Sequence, residues 1–430
     1  MKIAFCTLGC KVNQYETESM RELFSALGYE IVDKEEAPDV LVLNSCTVTA
    51  ESDRKTRQTL RHWRRIYPDC ITVLCGCMAQ AFPKAAERLT EADIVFGNTD
   101  HAKIPALVNE FIKSGQRIVA VEAHEKGEAF KTPGIASFSE RTRAYMKIED
   151  GCNRFCSYCA IPYGRGRVRS KPLDEIKKEA KRLSQNGYSE IVLVGINLSA
   201  YGQDNGKNLF DAVKAVAENE GVLRVRLGSL EPDHMTDELL KNLFSVKEFC
   251  PQFHLSLQSG CDETLKRMNR HYDTAFYRDL VSRIRRLCPK ASVTTDVMVG
   301  FAGETEEEFT QSLDFVREMN FQRVHVFSYS KREGTAAAKL PGHLPNAVKQ
   351  ARSEKMIALS EKLLLENLQN LVGETDDVLF ETRHGGIYEG YTKNYTRVKV
   401  QTKQSLTGKI LPVAFKNVQD DYLTGNLVNL

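Results

Sequence analysis

The amino-acid sequence predicts an α/β protein in three parts: an N-terminal parallel α/β domain, a central partial (β/α)6 barrel and a small C-terminal antiparallel β-barrel. Three observations carry this. Short apolar runs alternate with amphipathic stretches through the first 125 residues, the strand–helix unit repeats about six times over 141–330, and the pattern changes to short two-residue alternation after Gly373. A chain of 430 residues is too long for a single core, in keeping with several domains.

In the first part, residues 1–125, strand-like runs lie at Lys2–Thr7, Val40–Asn44, Ile71–Cys75 and Ile94–Phe96, with helical patterns at 16–28, 51–66 and 83–90. Strands alternating with helices give a parallel sheet covered on both faces. Residues 126–140 break the pattern and read as a linker. The second part, 141–370, places strands at Ala144–Ile148, Glu190–Ile196, Leu223–Leu227, Phe253–Leu257, Ser292–Val299 and Arg323–Tyr329. Between the first two, Ile176, Ala180 and Leu183 recur at helical spacing and Gly187 follows as a stop signal. Six units suit an open barrel, with chemistry at the C-terminal ends of its strands. A helical stretch at 346–370 leads to the third part, 371–430, where Val378, Phe380, Val398, Val400, Val413 and Phe415 mark the short strands.

Composition narrows the setting. The 59 basic and 57 acidic residues nearly cancel, so any nucleic-acid face is a local patch. The first residues, Met1-Lys2-Ile3-Ala4-Phe5, enter a strand directly, and no apolar run approaches a membrane span. The expectation is a cytoplasmic protein with no membrane partner, where 12 cysteines in clusters suggest metal ligation rather than disulfides. Cys70, Cys250, Cys261 and Cys288 stand apart and read as small buried hydrophobes.

The sharpest motif is Cys152-Asn-Arg-Phe-Cys156-Ser-Tyr-Cys159, a C-x3-C-x2-C sequence directly after the first barrel strand. Three thiolates can hold three irons of a cubane and leave the fourth open. A structural zinc site is the competing reading, though it usually presents paired knuckles. With Tyr158 before the last cysteine, the motif resembles the radical S-adenosylmethionine (SAM) superfamily. That resemblance implies SAM chelated to the open iron and cleaved reductively to a 5′-deoxyadenosyl radical, with electrons from an external donor. It also implies SAM contacts from Tyr158, and from Gly195 and Asn197, Ser256 and Gln258, and Asp296, these last five each readable alone as an ordinary strand-end turn.

Cys10, Cys46 and Cys77 follow the first three strands of the N-terminal domain. Strand ends in a parallel sheet converge on one edge, so these thiols could meet although dozens of residues separate them; by placement alone they could equally be core residues. Gly-Cys-Lys-Val-Asn-Gln-Tyr-Glu-Thr-Glu, Asn-Ser-Cys-Thr-Val and Gly-Cys-Met-Ala-Gln resemble the N-terminal domain of the methylthiotransferase family of radical SAM enzymes. The resemblance spans essentially the whole chain. It implies an auxiliary 4Fe-4S cluster on Cys10, Cys46 and Cys77, hence two 4Fe-4S clusters, and two uses of SAM, as methyl donor and as radical source. A sulfur donor is then required. Cys6 and Cys75, close to the same motifs, read as strand residues.

The expected substrate is tRNA. Arg54, Lys55, Arg57, Arg61, Arg64 and Arg65 load one helical stretch with positive charge around Trp63, and Arg165, Arg167, Arg169 and Lys171 form a second basic run. Either could be merely a solvated face; together they could follow a phosphate backbone, with Trp63 as a stacking surface. Tyr388-Glu-Gly-Tyr-Thr-Lys-Asn-Tyr-Thr-Arg-Val resembles a TRAM domain, an RNA-binding barrel, which points to Lys393, Tyr395 and Arg397. Within the family, residues 7–18 look most like the MtaB type, which adds a methylthio group at C2 of N6-threonylcarbamoyladenosine next to the anticodon (position 37). The rivals are the same reaction on N6-isopentenyladenosine, and a non-catalytic iron–sulfur RNA-binding redox sensor.

Overall fold

The computed structural model describes residues 1–138 and 141–428. The last two residues of the expected linker and of the chain lie outside them.

The N-terminal sheet is six-stranded and parallel: β1 (Lys2–Thr7), β2 (Glu30–Ile31), β3 (Val40–Ser45), β4 (Ile71–Gly76), β5 (Ile94–Phe96) and β6 (Ile118–Ala120), in the order β2-β1-β3-β4-β5-β6. The four expected strands are joined by β2 and β6, edge strands of two and three residues that are too short to show periodicity. Successive side chains of a strand face opposite ways, so Val40 and Val42 pack under helices Lys11–Ala26 and Ile104–Ser114, while Leu41 and Leu43 pack under helix Ala50–Ile66. Both faces are covered, which explains why β3 carries four apolar residues in succession.

The central strands are β7 (Ala144–Lys147), an antiparallel pair β8 (Glu149–Asp150) and β9 (Arg169–Ser170), then β10 (Glu190–Val194), β11 (Arg224–Leu227), β12 (Ser229–Leu230), β13 (Gln252–Leu255), β14 (Ser292–Val299) and β15 (Arg323–Ser328). β7, β10 and β11 form one parallel sheet and β12 to β15 another. Val225 of β11 forms a parallel bridge with Phe249, three residues before β13, so the two sheets follow on as one open curved wall with helices outside. Each of the six expected barrel strands is present. Ile176, Ala180 and Leu183 are all fully buried on helix Leu173–Gln185.

Helix Asn346–Gln369 bridges two cores, with Met356 and Leu363 in the central one and Leu368 in the C-terminal one. The latter fills a closed barrel of β16 (Thr375–His384), β17 (Ile387–Tyr391), β18 (Arg397–Gln401), β19 (Ile410–Gln419) and β20 (Tyr422–Leu427). Its pairing is antiparallel except where β18 meets β20 in parallel to close it. The loop between β17 and β18 docks on the N-terminal ends of the central strands. There Arg224 donates to the Tyr391 carbonyl (2.9 Å), Arg226 to those of Lys393 (2.9 Å) and Thr392 (3.1 Å), and the Ser292 hydroxyl to that of Asn394 (2.6 Å). No helix among the described residues is long and apolar enough to cross a membrane.

Candidate iron–sulfur centres and active site

Cys152, Cys156 and Cys159 occupy the loop after β8, at the C-terminal end of the barrel wall. Main-chain bonds shape it: the Cys152 N–H donates to the Gly166 carbonyl (3.0 Å), and the Ser157 N–H to that of Met268 (2.9 Å). All three cysteines are free and partly buried. Each sulfur receives an N–H: Arg154 N to Cys152 Sγ and Ile161 N to Cys159 Sγ, both 3.4 Å, and Arg270 Nη1 to Cys156 Sγ at 3.1 Å. Such donors suit thiolates that ligate a cluster. Burial pushes the metal-free Cys152 and Cys159 thiols up to about 12, and Cys156 pushes both the same way. Metal binding at these sulfurs therefore releases protons.

Arg270, which no sequence pattern singled out, organises this centre. Besides Cys156 it bonds Glu231 (2.5 Å) and the Ser256 carbonyl (3.3 Å), and it lies 3.4 Å from the Tyr158 hydroxyl. Ser256 and Tyr158 are thereby tied to the cysteine loop. Gly195 and Asn197 meet Glu149, a second unpredicted group: the Asn197 N–H donates to Glu149 Oε2 at 2.7 Å, and a Cβ on Gly195 would stand 2.6 Å from that same oxygen. Glu149 Oε1 and Asn197 Oδ1 are buried without partners. Two orphaned acceptors beside the cysteine loop fit an amine- and hydroxyl-bearing cofactor such as SAM. Gly195→Ala forces the Glu149 carboxyl aside, an overpacking cost of about 1–3 kcal/mol; a lower melting temperature together with weaker SAM binding is the expected result. Gln258 has a left-handed backbone (φ 69°), and its N–H bonds the Asp296 carbonyl (2.8 Å). The Asp296 side chain instead pairs with His254 (3.2 Å) inside the barrel.

Cys10, Cys46 and Cys77 follow the ends of β1, β3 and β4, three adjacent strands. Gly76 (φ 95°) makes the approach possible, since a Cβ there would lie 2.5 Å from the Ser45 carbonyl oxygen and from Asn44 Oδ1. Cys46 and Cys77 are buried and Cys10 is exposed. The Val48 N–H donates to Cys46 Sγ (3.4 Å), and Arg165 Nε to Cys77 Sγ (3.1 Å). Burial pushes the Cys77 thiol up to about 12, with Arg165 opposing and the nearby Cys46 and Cys10 thiols adding to the rise. Cys6 lies in β1 and Cys75 in β4. Among the described residues no three His, Cys, Asp or Glu side chains converge as a single ion requires. Thiolates around a cubane stand farther apart, each on its own iron, and both cysteine sets offer the soft donors such a cluster needs.

One short helix, Ile161–Arg165, separates the two sets; it begins two residues after Cys159 and ends at the arginine that touches Cys77. Its five residues span roughly 7–8 Å.

That position corrects the expected RNA face. Arg165 is wholly buried, paired with Glu16 and Asp150, because it bridges the domains instead of facing solvent. Arg169 pairs with Glu128 (2.8 Å) and Lys171 with Glu179, both inside, so of that basic run only Arg167 is exposed, over the Phe155 ring. Trp63 is buried too: with Thr56 and Leu60 it forms the inner face of its helix, so it offers RNA no stacking surface. Arg64 bonds Asp93 (2.6 Å) and the Pro68 carbonyl (2.9 Å), while Arg61 stays largely exposed beside Glu91. In the C-terminal barrel, Lys393 donates to the Lys247 carbonyl (2.8 Å), Tyr395 stacks on Tyr391 under Arg143 and Arg226, and Arg397 bonds Glu389 and Asp421. Lys393 and Tyr395 thus hold the barrel to the central domain, while Arg397 ties two parts of the barrel to each other.

An open parallel barrel with three free thiols on the loop after its first strand defines the radical SAM class. The family model described as "Radical SAM superfamily" matches residues 146–316, and the one described as "Uncharacterized protein family UPF0004" matches residues 2–97. The threonylcarbamoyladenosine tRNA methylthiotransferase MtaB of Bacillus subtilis (strain 168) is 38% identical over 435 residues, covering 100% of this chain and 96% of that protein. The protein of the same name from Aquifex aeolicus is 37% identical, covering 93% and 100%. A tRNA-2-methylthio-N(6)-dimethylallyladenosine synthase of Pelotomaculum thermopropionicum is 34% identical, covering 99% and 97%. Among solved structures, the radical SAM methyltransferase TsrM from Kitasatospora setae shares the fold, with a TM-score of 0.56 at 13% identity over 90% of this chain and 80% of that one. The chain belongs to the methylthiotransferase family of radical SAM enzymes, resembling its MtaB type, and its cofactors are two 4Fe-4S clusters and SAM.

Proposed function

We propose that this enzyme adds a methylthio group to C2 of N6-threonylcarbamoyladenosine in tRNA, next to the anticodon. The observation that carries the reading is the pair of thiol sets flanking the helix Ile161–Arg165. Residues 1–125 would carry the auxiliary centre on Cys10, Cys46 and Cys77, residues 126–140 serve as linker, 141–370 carry the SAM centre on Cys152, Cys156 and Cys159, and 371–430 form the TRAM-like barrel. When bound, the clusters and SAM supply reductive cleavage of SAM and transfer of methylated sulfur, with an external electron donor and a sulfur donor as co-reactants. The chain's own residues set the stage. Arg270 and Arg165 donate hydrogen bonds to the Cys156 and Cys77 sulfurs, the kind of donor that orients a sulfur ligand toward a cluster. Glu149 and Asn197 offer SAM its hydrogen-bond acceptors, and Arg61, beside Glu91, and Arg167, over Phe155, remain exposed and able to meet phosphate.

Anaerobically reconstituted, reduced enzyme given SAM and threonylcarbamoyl-bearing tRNA is expected to release 5′-deoxyadenosine and form the 2-methylthio nucleoside. RNA binding without 5′-deoxyadenosine would favour a redox sensor, and methylthiolation of isopentenyl tRNA alone would sink the substrate assignment.

A further inference from the structure

A cavity of about 520 Å³ lies inside the open barrel wall, within the range of small-molecule sites, roughly 300–1,000 Å³. All three parts of the chain line it: Lys11 from the first, Arg226, His254, Asp296, Gln322 and others from the second, Tyr395 and Arg397 from the third. Its charges are largely spoken for. Arg226 bonds Glu190 (2.7 Å) and the docked loop, Arg397 bonds Glu389 and Asp421 (each 2.7 Å), and Asp296 pairs with His254.

Lys11 differs. Among the described residues its ammonium forms no ion pair with a carboxylate and no hydrogen bond; it stands 5.8 Å from the Tyr145 ring, with the Tyr395 phenol and the Arg143 and Arg226 guanidiniums nearby. Gln322 donates its amide N–H to Thr396 (3.0 Å) but leaves Oε1 buried without a partner. A cation lacking an anion and an acceptor lacking a donor thus share one chamber. Cys10, in the auxiliary set, immediately precedes Lys11.

We infer that Lys11 is a specificity-determining residue that binds the carboxylate of the N6-threonylcarbamoyl substituent in this cavity, with Gln322 Oε1 accepting from one of its N–H or O–H groups. This rests on the proposed tRNA substrate and says how it is chosen. The substituent brings one carboxylate and several donors, which satisfy both orphaned groups at once. An isopentenyl group would cover both without pairing either, the arrangement that gives the strongest discrimination. Anchoring the substituent at Lys11 also keeps the base beside Cys10.

The test uses reconstituted enzyme and anticodon stem–loop RNAs carrying threonylcarbamoyladenosine, its carboxylate methyl ester, or unmodified adenosine. The wild type should bind the free carboxylate at least about tenfold more tightly than the ester, the value of one charge-assisted hydrogen bond. Lys11→Met should erase that difference without changing affinity for unmodified RNA or the iron content, and Lys11→Arg should recover much of it. The inference is overturned if the ester binds as well as the acid while both surpass unmodified RNA, or if Lys11→Met keeps the preference for the acid. If wild-type enzyme binds threonylcarbamoyl and unmodified loops equally, the substrate reading itself fails, and the role of Lys11 with it.

Discussion

Replacing Cys152, Cys156 and Cys159 together by Ala is expected to lower the iron of reconstituted enzyme from about eight to about four atoms per chain and to abolish 5′-deoxyadenosine release. The two thiol sets sit on different parts of the chain, the loop after β8 and the ends of β1, β3 and β4, and share no residue. Loss of one should therefore spare the other. The converse triple variant at Cys10, Cys46 and Cys77 should also hold about four irons but still cleave SAM, while forming no methylthio product. Iron analysis and product quantification check both. Full iron in either variant would contradict the ligand assignment, and SAM cleavage surviving loss of Cys152, Cys156 and Cys159 would contradict it more severely.

The second large effect is expected at Glu16, which no cluster ligand touches. Its carboxylate is fully buried on helix Lys11–Ala26 and holds Arg165 and Lys147 (2.7 Å), and Lys147 in turn bonds Asp150 (2.7 Å). Glu16→Ala removes one of the two buried carboxylates, Glu16 and Asp150, that Lys147 and Arg165 share at the domain junction, a loss of roughly 3–5 kcal/mol by precedent for broken buried pairs. A melting-temperature fall is the readout, and Glu16→Gln, which keeps the shape but not the charge, should do little better. A fall no larger than that of a surface substitution would show the junction to be unimportant. The same network has a pH signature. Burial alone would raise the Glu16 carboxyl, but Arg165 and Lys147 outweigh it and hold the group well below its ordinary value of 4.5, at about 2. Its contribution is present above pH 4.5 and is lost as pH falls from there through the folded-state value. Acid unfolding in that window should be less steep in Glu16→Gln.

Much of the fold is legible in the residues because it rests on local periodicity. Runs such as Val40–Leu43 and Ile191–Val194 are apolar throughout, as strands buried on both faces tend to be, and the cysteines that follow strand ends fall on one edge of a sheet by topology alone. What escaped depends on contacts distant in sequence. Arg270 reaches Cys156 across 114 residues and Arg165 reaches Cys77 across 88, and nothing near either arginine marks it as a sulfur partner. The basic run Arg165 to Lys171 carries the same charge whether it faces phosphate or buried carboxylates, and only the fold of the N-terminal domain against it decides. Trp63 is different: Thr56, Leu60 and Trp63 recur at helical spacing, so its inward direction was readable from the stripe.

The central claim, methylthiolation of threonylcarbamoyladenosine in tRNA, is tested most directly by nucleoside analysis of tRNA from cells lacking the gene. The account predicts that the 2-methylthio form of threonylcarbamoyladenosine disappears while its unthiolated precursor accumulates, and that supplying the gene restores it. Retention of that nucleoside, with loss instead of 2-methylthio-isopentenyladenosine or of neither, would contradict it.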